Sequence, residues 1–195
     1  MHIEYYKLAG ALWDVLFIVW LIGAFSTKST AQRQSGGSRL VQSVLTVYGL
    51  YLVFARHLHF PGRIHGWMHA SFLAPSDWSG AIGLLLTLLG VVFAIWARVT
   101  LGRNWSGSVT VKQDHTLVRR GPYAIVRHPI YTGFLLGALG VAIIVGEVRG
   151  LVGTAIVFFA FWMKYNTEEQ FMLAQFGDQY VEYKREVKAL IPFVF

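Results

Sequence analysis

Five apolar runs, at about residues 8–25, 40–60, 80–101, 130–146 and 151–163, restrict this chain more than any other feature. About 20 apolar residues in a helix cross a hydrocarbon core, and the first three runs reach that length. In lipid a spanning segment must satisfy its own backbone N–H and C=O groups, so such runs are helices. The last two runs are shorter and are joined by Glu147-Val148-Arg149-Gly150. They read as a tight helical hairpin, extended at its far end by residues such as Lys164 and Tyr165, with a partly re-entrant pair as the alternative. The fold expected is an all-α integral membrane protein of about five transmembrane helices with a C-terminal helix.

Charge agrees with this. Only 14% of the residues are charged and 55% are hydrophobic, against about 25% charged in soluble domains. The chain has no cysteine, which excludes disulfides and thiolate chemistry. A net charge of +7 fits basic loops meeting anionic lipid head groups better than a nucleic-acid partner. No secretory leader is recognisable at the N-terminus, where Glu4 stands beside Lys7. With five spans, twelve Lys and Arg residues fall on one side and four on the other. The positive-inside bias places loop 102–129 and the C-terminal tail together in the cytoplasm. The chain divides into residues 1–101, three N-terminal spans, and residues 102–195, where the unusual polar residues collect.

Loop residues 114–133 are too rich in His, Arg, Tyr, Pro and Gly for a simple connector. Proline disfavours helix in the residue before it, so Gly121-Pro122 and His128-Pro129 are breaks. Pro129 suits the first turn of a helix, and the free N–H groups there favour an anion. In the tail, Lys164, Glu168, Met172, Phe176, Tyr180, Tyr183, Val187 and Leu190 follow one another at steps of three or four. That is one helical face, with Glu168 on it and Glu169 off it. Gly177 is a possible interruption.

Arg127-His128-Pro129-Ile130-Tyr131-Thr132-Gly133, followed by an apolar span and Glu168-Glu169, resembles a family signature. So do His115-Thr116-Leu117-Val118, Gly121-Pro122-Tyr123 and Phe176-Gly177-x-x-Tyr180-x-x-Tyr183. The family is the integral-membrane methyltransferases of the isoprenylcysteine carboxyl methyltransferase type, with their phospholipid N-methyltransferase relatives. The resemblance covers about residues 102–192. It implies a cytoplasmic catalytic loop and S-adenosylmethionine as methyl donor. It also implies donor contacts at Lys112, His115, Thr116, Leu117, Val118, Tyr123, His128, Pro129, Ile130, Tyr131 and Glu168, with no metal. The acceptor implied is a lipophilic or lipidated molecule, a prenylcysteine carboxylate first and a phospholipid amine second.

The residues themselves speak to the same chemistry. A carboxylate facing inward at a span end needs a partner, and the donor's sulfonium and ammonium would satisfy Glu168. Tyr123 and Tyr131 can wall a sulfonium by cation–π contact, although interfacial tyrosines are common. Lys164, one turn before Glu168, is either its ion-pair partner or the cation for an acceptor carboxylate. The family's eukaryotic members have Arg at this position. His128 reads as a general base, a donor contact or the helix cap before Pro129; a positioning role, which the resemblance also implies, is the one expected, because an ionised carboxylate nucleophile requires no base. Gly133, Gly137 and Gly140 permit close helix approach. No Gly-x-Gly-x-x-Gly turn is present, so the soluble dinucleotide-type design is not expected. Two features fall outside this scheme. His57, His59, His65 and His69 cluster on the opposite side without a suitably spaced carboxylate, and bare His pairs outnumber metal sites. Asp14 lies inside the first span, where packing against Arg98 or a Trp is the plain expectation. The competing classes are a sterol-type membrane reductase using a reduced nicotinamide, usually a larger protein, and a non-catalytic scaffold.

Overall fold

The structure is a computed structural model that describes residues 2–24, 30–33, 36–55, 58–102, 105, 110–112 and 117–194. Its helices are α1 (His2–Ala24), α2 (Gly36–Phe54), the short α3 (Arg63–Met68), α4 (Asp77–Leu101), α5 (Pro129–Val145), α6 (Val148–Phe176) and α7 (Asp178–Glu186). Helices α1, α4 and α6 are long and apolar enough to cross a membrane, and α5 is a shorter apolar helix of 17 residues. Helix α2, 19 residues long, opens on Gly-Gly-Ser-Arg and is not among those candidate spans, so among the described residues three spans and one shorter apolar helix stand where about five spans are expected. The outward faces of α1, α2 and α4 carry exposed Phe17, Ile22, Leu40, Val47, Leu85 and Val99, as a lipid-facing surface requires. The chain is an all-helical integral membrane protein with one small addition. Thr30–Arg33 (β1) and Thr110–Lys112 (β2) pair as an antiparallel ribbon across one end of the bundle.

Helix α5 is central and touches α1, α2, α4 and α6. Its glycines decide how closely. A Cβ at Gly133 would stand 2.5 Å from the Gly90 carbonyl oxygen and 2.7 Å from the Ala94 nitrogen. A Cβ at Gly140 would stand 2.5 Å from the Gly83 oxygen. Backbones in lipid associate by such contact, since lipid tails are as apolar as the helices. The anticipated role of Gly133 and Gly140 is therefore observed. Helix α6 packs instead along α2, where Gly49 and Gly153 meet in the same way.

The helix ends refine the expected boundaries. Pro129 does open α5. The second span stops at Phe54, earlier than the apolar run suggested, and residues 58–62 carry no helix. The turn between α5 and α6 is closed by Gly146 at φ 71°, a left-handed value that favours glycine. The tail is not one helix: Gly177, at φ 51°, separates α6 from α7, and Val187 leaves α7 in an extended conformation.

Two expectations outside the loop are corrected. Asp14 is exposed on α1, and Arg98 does not pair with it but donates to the Gly23 and Gly102 carbonyls. His69 does have a carboxylate, Glu147, at 3.0 Å. Spacing could not show it, because Glu147 lies 78 residues along the chain. His69 also meets the Leu58 carbonyl at 2.9 Å, and Arg149 donates to Glu147 and to the carbonyl of Leu52. This cluster ties the segment before α3 to the α5–α6 turn. His57 lies outside the described residues.

Candidate active site

The site forms where α5 begins, because four segments converge there. The prolines stop helix between α4 and α5, leaving a 3-10 turn at Gly121–Ala124 whose Gly121 rests against Thr100 and Trp96 at the end of α4. The tail returns over the same point. Arg127 N–H donates to the Lys188 carbonyl at 2.8 Å and His128 N–H to the Ala189 carbonyl at 3.0 Å. Thr132 Oγ1 donates to the Leu190 carbonyl at 2.7 Å. Leu190, 1% exposed, packs with Tyr131, Val157, Phe161 and Tyr165. Tyr183 of α7 donates to the Tyr123 carbonyl at 2.5 Å, so the tail folds over the loop as anticipated.

Two acids on α6 face this junction. Tyr131 donates to Glu168 Oε1 at 2.5 Å. His128 stands between the pair, Nδ1 3.6 Å from Glu168 Oε2 and Nε2 3.2 Å from Glu169 Oε1. Both ring nitrogens therefore face acceptors, which suits the imidazolium. Burial alone would push the His128 pKa down; its interactions with Glu168 and Glu169 outweigh that and hold it above the ordinary value. Burial, and next the charge of Glu168, push the Tyr123 phenol well up, so it stays neutral and able to donate. The rings of His128 and Tyr131 stack at 5.7 Å, and those of Tyr131 and Phe161 at 4.6 Å.

Glu169 departs from the periodic reading. It is 4% exposed, more buried than Glu168, although it lies off the apolar stripe. Arg127 Nη2 stands 2.6 Å from its Oε1 and Lys184 Nζ 2.6 Å from its Oε2. Periodicity missed this inward carboxylate because its cations come from other segments. The only sequence signal was the rule that a buried acid has a basic partner, without a hint of which.

Of the remaining candidates, Pro129 is buried and Ile130 packs against the core beside Tyr131. Leu117 and Val118 are half-buried. Lys112 is placed by its backbone on β2, which lies beside α6; its side chain, and both His115 and Thr116, fall outside the described residues. Lys164 Nζ is 5.4 Å from the centre of the Tyr131 ring, on the Glu168 side of α6.

Fold and site together define a membrane-embedded helical protein with a polar centre at one membrane surface, roofed by its own tail. The chain belongs to the phospholipid methyltransferase family, whose model matches residues 78–179, just over half of it. It is 32% identical over 143 residues to protein-S-isoprenylcysteine O-methyltransferase B of Arabidopsis thaliana, across 72% of this chain and 68% of that one. It is 36% identical over 120 residues to the protein-S-isoprenylcysteine O-methyltransferase of Xenopus laevis, across 60% and 42%. Among solved structures it is similar to the eukaryotic intramembrane Ras methyltransferase, an isoprenylcysteine carboxyl methyltransferase. That match has a TM-score of 0.56 and 28% identity, and it covers 80% of this chain and 51% of the other. The chain thus spans about half the length of the solved relative.

Proposed function

We propose that the protein transfers a methyl group from S-adenosylmethionine to the carboxylate of a prenylcysteine-type lipid. The observation that carries this reading is Glu168. It is an acid at the membrane surface, held by Tyr131 and His128 within a wall of aromatic rings, as a sulfonium or ammonium ligand would require. Names of relatives in both plants and animals support the acceptor class. Bound donor would supply an electrophilic methyl carbon; in-line attack on that carbon by an acceptor carboxylate oxygen, with the methyl–sulfur bond breaking, would give a methyl ester and leave the donor as a neutral thioether. The protein's part is alignment and exclusion of water. Tyr131 and His128 fix Glu168; Tyr123, Leu117 and Val118 wall the donor; Lys112, His115 and Thr116 are further donor contacts by family resemblance. Lys164 meets the acceptor carboxylate, and no base is needed because that group is already ionised.

In this reading residues 1–101 form the supporting spans and residues 102–195 carry the chemistry. The twelve-to-four division of basic residues, counted for five spans, supports a cytoplasmic position for this end. The lipid acceptor arrives sideways from the bilayer, near the start of α5 and the end of α6.

The test is transfer from labelled S-adenosylmethionine by purified protein in detergent. S-farnesyl-N-acetylcysteine should yield an alkali-labile ester, and phosphatidylethanolamine should yield nothing. Labelling of the amine alone would replace this acceptor with the family's other one. Lys164→Ala should raise the KM for the carboxylate acceptor and leave donor affinity almost unchanged.

A further inference from the structure

Arg98, near the end of α4, is a buried cation that the site above does not use. It is 4% exposed. Nη1 donates to the Gly102 carbonyl at 2.9 Å and Nη2 to the Gly23 carbonyl at 2.6 Å, while the guanidinium carbon lies 4.3 Å from the centre of the Trp105 ring. Two helix C-termini therefore offset part of its charge. Among the described residues no carboxylate pairs with it, and its buried Nε–H has no acceptor. A guanidinium removed from water without a counter-ion is costly.

Its position is as telling as its lack of a partner. Ala94 lies against Gly133 in the antiparallel α4–α5 pair, so Arg98, one turn further on, is level with Pro129. The 3-10 turn bearing Tyr123 rests on that end of α4. Tyr123 feels the charge of both Arg98 and Glu168, which places it between a cation without an acid and an acid facing an aromatic wall. The methionine end of S-adenosylmethionine is itself split in this way, with a carboxylate beside an ammonium and a sulfonium. Resting on the donor reading above, we propose that Arg98 holds the donor's carboxylate while Glu168 faces its positive groups. The unpaired Nε–H edge of a guanidinium matches a planar carboxylate. Lys164 lies over Tyr131 on the Glu168 side and is left for the acceptor.

Calorimetric binding of S-adenosylmethionine and of its decarboxylated analogue to the full chain in detergent tests this. The wild type should bind the carboxylate-bearing donor at least about tenfold more tightly, a difference of about 1.4 kcal/mol. Arg98→Gln should bring that ratio close to one, and Arg98→Lys should leave an intermediate ratio. If Arg98→Gln loses its helical circular dichroism, Arg98→Lys is read in its place. A purely structural Arg98 would weaken both ligands together and preserve the ratio, which overturns the proposal. Equal binding of the two ligands by the wild type overturns it without any variant. Binding of neither removes the donor reading itself, and this inference with it.

Discussion

Glu168 and Glu169 are adjacent, yet their surroundings differ. Glu168 has one tyrosine hydroxyl and a histidine at 3.6 Å, with a fifth of its side chain exposed. Glu169 is enclosed by Arg127, Lys184 and His128. Glu168→Gln should weaken donor binding about tenfold or more, since hydrogen bonds to charged groups are worth about 1.5–3 kcal/mol, and should leave the fold intact by circular dichroism. Glu169→Gln should act first on stability. Breaking a buried ion pair costs about 3–5 kcal/mol, so thermal unfolding in detergent should come markedly earlier. If the two variants show the same profile, the division of labour is wrong. His128 adds a pH dependence. Its folded pKa is raised, so its stabilising contribution is complete below the unfolded value of about 6.5 and is lost as pH rises through the folded value. The thermal midpoint should therefore decline on the alkaline side of about 6.5, and His128→Asn should flatten that decline.

At the scale of elements, the α4–α5 contact sets the site's geometry, because it fixes the level of Arg98 and of the 3-10 turn against the start of α5. Gly133 permits it by leaving the Gly90 oxygen and the Ala94 nitrogen room to approach. Gly133→Val should force the helices apart and cost about 1–3 kcal/mol, the range for overpacking a filled interior, with activity falling in parallel. Gly10→Ala on α1 is the control, since a Cβ there meets nothing within 4 Å. Helix propensity alone favours both replacements over glycine, so an equal loss from both would rule out close packing at Gly133 as the cause.

For the whole molecule the question is which side of the membrane holds the site. If α1, α2, α4, α5 and α6 all cross the membrane, the N-terminus and the tail lie on opposite sides. The ribbon of β1 with β2 and the contacts of residues 187–190 with residues 127–132 gather the loops after α1 and α4 with the tail at one end. Reporter fusions at each terminus should read opposite sides, with the C-terminus cytoplasmic. Both termini on one side would rule out the five-span arrangement.

What the sequence determined was local. Run length and apolarity announce helices in lipid because each helix satisfies its own backbone. Pro129 sets the start of α5 and Gly177 the break in the tail because each acts on its own dihedral angles. The Arg-His-Pro-x-Tyr motif marked the start of α5 because its residues are close in sequence, whereas Glu168, 37 residues beyond Tyr131, was reached by the apolar stripe of α6 and by family resemblance. Tertiary structure decided the rest by joining distant segments. Glu169 is inward because Arg127, 42 residues away, and Lys184 reach it. His69 finds Glu147 across 78 residues, and β1 finds β2 across the whole of α2 and α4. Arg98 is buried because α1 ends beside it. A helical period reports which face of a segment is apolar, but not which charges another segment will bring to that face.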